Sequence, residues 1–321
     1  MIRMVSRRVV AGAIGATLAA TAVDRAVARR TTRRFSEQTG FVPVPGGKVW
    51  WRRVGSGRKA PLLLLHGGPG AGSVYLDQMA ALAQDRAVIF YDQLGCGRSE
   101  APDDASLYRI PRFVEEVDAL RHALNLNEIV LFGNSWGSML AIEYLLDRGA
   151  RGVQKLILSG ALASVPQAVA GQQRLLDRLP EGAGARIRQL EAENRTDSPE
   201  YQRLADLFYH LHVCRRDPWP PQMLKTIEYL GKSPAYRVMN GPNEFTITGN
   251  MKDWDRRRDV DAIRLPTLLT TGEFDEVTLD CHQTIHDAIP GSQLVVMKDC
   301  SHLTMLEQPQ AYNRILRDFL A

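Results

Sequence analysis

The residues of this 321-residue chain that could do chemistry gather around one serine. Ser135 stands in Gly133-Asn134-Ser135-Trp136-Gly137, between an apolar run, Ile129 to Phe132, and a helix-forming segment, Ser138 to Leu146. A serine on a tight strand-to-helix turn needs small neighbours, because its backbone is strained and the helix must pack close to the strand. The positive end of the helix then points at the hydroxyl. A hydroxyl is a weak nucleophile until a base takes its proton, and an imidazole suits that task near neutral pH. Among seven histidines, His302 follows the last strand-like run, Leu294 to Met297. His66 lies in a glycine-rich loop and reads as structural, while His122, His210 and His212 follow no strand. His282 and His286 are four apart, but no third ligand and no His-Glu-x-x-His pattern accompany them, so no metal is expected. A buried carboxylate would complete the set by fixing the imidazole tautomer. Four residues compete for that place: Glu273, Asp275 and Glu276 after the run Pro266 to Thr271, and Asp299 beside His302.

These side chains need a sheet to hold them. Phe41 to Val54 reads as a hairpin about Pro45-Gly46-Gly47. Pro61 to Leu65, Ala87 to Tyr91 and Val153 to Ser159 are runs of the kind found in parallel strands covered on both faces. Pro61 to Leu65 ends at His66-Gly67-Gly68-Pro69-Gly70, where bare backbone can approach a ligand. Pro69 has no N–H, so Gly68 is the better donor for one arm of an oxyanion hole, with Trp136 as the other. A phosphate loop would need a Lys-Ser/Thr ending, which is absent. Asp92 and Arg98, in Asp92-Gln-Leu-Gly-Cys-Gly-Arg-Ser99, read as structural partners. The alternation of strands and helices stops at about residue 161 and resumes at about 264. Between them lie amphipathic segments, Arg174 to Leu179, Ala185 to Glu193 and Tyr201 to Val213, broken by Pro218, Pro220 and Pro221. The expected organisation is a core of residues 29–160 and 264–321 with a helical cap, 161–263, over the carboxyl ends of the strands.

Charge argues against nucleic acid. The formal net charge is +4, but residues 1–28 hold Arg3, Arg7, Arg8 and Arg25 against Asp24, leaving only a slight positive excess elsewhere. That segment reads as a twin-arginine-type export signal: Arg7-Arg8, an uncharged stretch from Val9 to Val23, and Ala26-Val27-Ala28 as a cleavage site. A periplasmic or secreted chain beginning near Arg29 is therefore expected, with a cytoplasmic enzyme carrying a frayed or amphipathic N-terminal arm as the alternative. The stretch is too short to span a bilayer stably, which takes about 20 residues. The four cysteines, Cys96, Cys214, Cys281 and Cys300, lack metal-type spacing and are expected to be free buried thiols.

Taken together, His66-Gly-Gly-Pro-Gly70, Asp92-Gln-Leu-Gly-Cys-Gly-Arg-Ser99 and Gly133-Asn-Ser-Trp-Gly137 resemble the proline iminopeptidase family of α/β-hydrolases, with its related L-amino-acid amidases and tricorn-associated aminopeptidases. The likeness runs from about Phe41 to the C-terminus. It implies an α/β-hydrolase fold, a mostly parallel sheet flanked by helices, and the triad order Ser135, Asp275, His302. It gives the acid's role to Asp275. By the same resemblance Glu244, in Met239-Asn-Gly-Pro-Asn-Glu-Phe245, and Glu276 bind the substrate's free amino group, and Glu307 joins the substrate-binding set as site support. No cofactor is implied. The expected activity is a serine aminopeptidase releasing N-terminal proline or another amino acid from short peptides or amino-acid amides through an acyl-enzyme, with a carboxylesterase or general α/β-hydrolase on small esters as the alternative. Aspartate in place of Ser135 would be wanted by an epoxide hydrolase or dehalogenase. Neither the preferred first residue nor the oligomeric state follows from the sequence.

Overall fold

The computed structural model describes residues 35–321, so the export segment expected at residues 1–28 lies outside the described residues. Eight strands form one sheet: β1 (Glu37–Val44), β2 (Gly47–Val54), β3 (Lys59–Leu65), β4 (Arg86–Tyr91), β5 (Ile129–Asn134), β6 (Val153–Ser159), β7 (Thr267–Gly272) and β8 (Gln293–Met297). Their order is β1-β2-β4-β3-β5-β6-β7-β8. The hairpin β1–β2 and the pair β2–β4 are antiparallel, and every other pairing is parallel. The central strands are covered on both faces. All six residues of β5 are buried, as are the leucines Leu62 to Leu65 of β3. From β3 the chain steps outward to β4, then returns to the other side of β3 for β5. The loops that follow β3 and β5 therefore part company at a topological switch point, where open α/β sheets leave a crevice for ligands.

Helix α1 (Ile110–Ala123) buries Phe113, Val117 and Leu120, and it leads into β5. Helix α2 (Trp136–Arg148) follows β5 directly. The helical insertion between β6 and β7 comprises α3 (Val165–Leu176), α4 (Ala183–Ala192), α5 (Pro199–His212), α6 (Pro221–Lys232) and α7 (Pro234–Met239). Two expectations for this region are corrected. The first helix ends at Leu176 rather than beginning at Arg174, because Ser164 caps it, its Oγ accepting the Gln167 N–H at 3.3 Å. Pro221 does not break a helix but opens α6. Proline in the first turn lacks only an N–H that would go unused there, and its fixed φ suits the start of a helix.

Helix α8 (Leu279–Ala288) joins β7 to β8, and α9 (Thr304–Glu307) and α10 (Pro309–Leu320) close the chain. The four cysteines are free and buried. Among the described residues no helix is long and apolar enough to cross a membrane.

Candidate active site

Ser135 occupies the turn from β5 into α2 with φ 56° and ψ −123°. This left-handed backbone is strained for a serine and turns its side chain out of the strand's path. The flanking glycines are forced by contact. A Cβ on Gly133 would lie 2.2 Å from the Gly137 carbonyl oxygen, and one on Gly137 would lie 2.1 Å from the Leu65 oxygen. The Ser135 N–H donates to Ser159 O at 2.9 Å, so the elbow is tied to β6. By contrast, among the described residues neither the Gly68 nor the Trp136 N–H has an acceptor. Both residues line the same cavity as Ser135. Two unpaired N–H groups beside a hydroxyl are what a developing oxyanion requires.

The loops carrying these groups are braced by side chains. His66 Nε2 accepts the Gln93 N–H at 3.0 Å, and Gln93 Oε1 accepts Trp136 Nε1–H at 2.8 Å. Asp92 accepts from the Ser73 and Arg98 backbone N–H groups and from Arg98 Nε, the last at 2.8 Å. His66, Asp92 and Arg98 are thus structural, as their sequence context suggests. Sequence reasoning missed Tyr75. Its hydroxyl accepts the Gly67 N–H at 2.7 Å and donates to Asn134 Oδ1 at 2.6 Å, linking the glycine loop to the residue before the nucleophile. Nothing around Tyr75 in the sequence forms a motif, so no signal pointed to it.

His302 Nδ1 donates to Asp275 Oδ1 at 2.7 Å. Asp275 is aimed by two further bonds, from the Val277 N–H (2.8 Å) and from Thr271 Oγ1 (2.9 Å). Burial opposes its ionisation, but the His302 ring, with His282 and the Val277 N–H, outweighs that and holds its carboxyl below the usual range. Glu273 and Asp299 are exposed, and Glu273 accepts the Asp299 N–H, so neither reaches the imidazole. Glu276 is on the far side of the ring, with Oε1 3.7 Å from His302 Nε2. Ser135 and His302 line one cavity, with no hydrogen bond between them.

Two cavities flank Ser135. Both are bounded by Gly68, Ser135, Glu244 and Glu276. One is completed by Trp136 and apolar residues of the insertion such as Val165, Ile247 and Met251. The other, about 50 Å³, is completed by His302, Tyr75, Met223 and Leu230. A larger space of about 590 Å³ opens elsewhere beside Glu143 and Arg256, but those two pair with each other at 2.7 Å and no nucleophile borders it.

Glu276 is buried and Glu244 half-buried, and no lysine or arginine pairs with either among the described residues. Burial raises the Glu244 carboxyl, opposed by the hydrogen bond from Tyr236 OH at 2.8 Å and by His302. Burial also raises Glu276 well above its ordinary value, against the pull of His302 and with the repulsion of Glu244 and Asp275. For His302 burial favours the neutral ring, but Asp275, Glu276 and Glu244 overcome it and lift the imidazole to about 9. His282, also buried, faces the same cluster from α8, and burial holds it neutral below its usual range. In an NMR titration the His302 ring is therefore expected to lose its proton near pH 9, and Glu276→Gln is expected to bring that midpoint down. Removing one nearby anion weakens the hold on the imidazolium. An unchanged midpoint would show that Glu276 does not act on the ring.

Glu307 is a correction. It lines neither cavity. It accepts from the Ser301 N–H and Oγ–H (2.6 Å each) and from the Arg215 N–H (2.5 Å). It therefore ties the loop bearing His302 to the segment after α5. The described residues also contain no cluster of His, Cys, Asp and Glu fit to hold a metal ion.

Comparison with known proteins places this geometry. The family described as alpha/beta hydrolase fold matches residues 60–309. A proline iminopeptidase of Thermoplasma volcanium is 43% identical over 286 residues, covering 88% of this chain and 96% of that one. Among solved structures, VinJ superposes with a TM-score of 0.85 at 33% identity over 88% of this chain and 98% of that one. The proline iminopeptidase of Mycobacterium smegmatis superposes at 0.82, with 32% identity over 88% of this chain and 97% of its own.

Proposed function

Because the chain belongs to the proline iminopeptidase family of α/β-hydrolases, we propose that it is a serine aminopeptidase that releases an N-terminal proline, or another first residue, from short peptides or amino-acid amides. The observation that carries this reading is the pair Glu244 and Glu276, two carboxylates that no lysine or arginine pairs with among the described residues, sharing a cavity wall with Ser135. Such a pair calls for a cation from outside, and a free amino terminus brings one to within reach of the scissile carbonyl.

The steps follow from the placement. Ser135 Oγ attacks the carbonyl carbon of the first residue as His302 takes its proton. The oxyanion is held by the Gly68 and Trp136 N–H groups, and Asp275 stabilises the imidazolium. His302 then protonates the departing nitrogen, and the C–N bond breaks to leave an acyl-enzyme. Water, deprotonated by His302, cleaves the ester and restores Ser135. Because the imidazole must reach the leaving nitrogen, the leaving group occupies the cavity lined by His302, and the first residue occupies the cavity lined by Trp136. The substrate ammonium neutralises Glu276, weakens its hold on His302 Nε2, and so favours the neutral ring that serves as base. The insertion acts as a cap that keeps these charges from water.

An acylated amino terminus carries no charge and would leave Glu244 without a cation and Glu276 with His302 alone. Breaking a buried ion pair costs about 3 kcal/mol or more, on the order of 100-fold. N-acetylprolyl anilide is therefore expected to be cleaved at least about 100-fold less efficiently than prolyl anilide, the loss set by the same buried-charge cost. Glu244→Ala should shrink that gap. Equal turnover of both compounds by the unaltered enzyme would favour an esterase-like hydrolase instead.

A further inference from the structure

The cavity on the Trp136 side is walled by more hydrogen-bond acceptors than two carboxylates provide. Asn240 and Gln172 also line it, 0% and 3% exposed. The orientation of Asn240 is set by Nδ2, which donates to Asn243 O at 2.8 Å. Its Oδ1 is left buried without a partner, and Gln172 Oε1 and Glu276 Oε2 are likewise buried and unpaired among the described residues. No lysine, arginine or histidine borders this cavity. Buried acceptors are normally satisfied, so several empty ones around one narrow space call for a ligand rich in donors.

Building on the aminopeptidase reading above, we infer that Asn240 Oδ1, assisted by Gln172 Oε1, is a third acceptor for the substrate ammonium and fits the cavity to primary α-amines as well as to proline. A protonated N-terminal proline has two N–H groups, which Glu244 and Glu276 can take. A primary ammonium has three, and the third needs an acceptor outside the carboxylate pair. Asn240 is a specificity residue on this account, since its oxygen is used by one class of first residue and idle with the other.

The test is the ratio of kcat/KM for alanyl and prolyl p-nitroanilides. In Asn240→Ala the alanyl compound should lose about tenfold more than the prolyl compound, the loss expected when one buried hydrogen bond goes unmade. Gln172→Leu should move the ratio in the same direction by less, whereas Asn240→Asp, which keeps an oxygen in place, should preserve it. Loss of the Asn243 turn bond alone would lower both substrates equally and leave the ratio alone. An unmoved ratio in Asn240→Ala overturns the inference. Should that variant fail to fold, an unmoved ratio in Gln172→Leu overturns it. A parent enzyme that cleaves neither anilide refutes the aminopeptidase reading itself, an outcome separate from a flat ratio.

Discussion

Ser135→Ala is expected to reduce kcat by about 10⁶-fold, the scale seen when a serine hydrolase loses its nucleophile. The protein should remain folded. Ser135 is already held in a left-handed conformation by the Ser159 carbonyl and by the start of α2, and alanine asks nothing further of that backbone. Two controls make the result specific. A serine-directed phosphonate should label the parent enzyme at Ser135 and leave the variant unlabelled. Adding His302→Ala to Ser135→Ala should cost little more, because nucleophile and base act as one unit and their losses do not add. If the alanine variant kept a rate within tenfold of the parent, the nucleophile would have to be sought elsewhere.

Asp275→Asn is expected to lower kcat by about 10⁴-fold with little change in folding, the penalty associated with presenting the wrong imidazole tautomer to the nucleophile. The structure says why the effect should be large for so small a change. Asp275 Oδ1 accepts from both His302 Nδ1 and the Val277 N–H, and Oδ2 accepts from Thr271. An amide in this place carries no charge to stabilise the imidazolium, and if its NH2 turns to the ring it selects the other tautomer. The loss should be mainly in kcat, with KM little moved, because the ammonium partners are untouched. A loss confined to KM would mean that Asp275 serves binding, and the acid would then be reassigned.

Particular residues show how far the sequence alone could be read. The elbow was legible because its requirements are local: Gly133 and Gly137 are demanded by contacts with the next turn and the neighbouring strand, and five adjacent residues carry that information. The strands were legible for a similar reason, since β3, β4 and β5 are apolar on both faces. The carboxylate partner of His302 was not. Glu273, Asp275 and Glu276 sit within four positions on one loop, where no periodicity sorts them. The choice falls to Asp275 through bonds from Thr271, Val277 and His302 that depend on how β7 and β8 come together. The resemblance points there to Asp275, the carboxylate bonded to His302, and it names Glu307 as substrate-binding site support, whereas the structure commits Glu307 to the backbone at Ser301 and Arg215.

By itself, then, the chain's sequence determined the α/β-hydrolase frame, the strained serine and the family, because sterics and hydrophobic burial act over a few neighbouring residues and leave a repeating pattern. Tertiary structure alone decided which buried polar groups are satisfied and which are left waiting. Tyr75 joins the glycine loop to Asn134, while Asn240 and Gln172, which line the cavity of Glu244 and Glu276, keep buried oxygens without partners. A hydrogen bond needs its two partners within about 3 Å of each other, and residues far apart along the chain meet that condition only once the chain has folded.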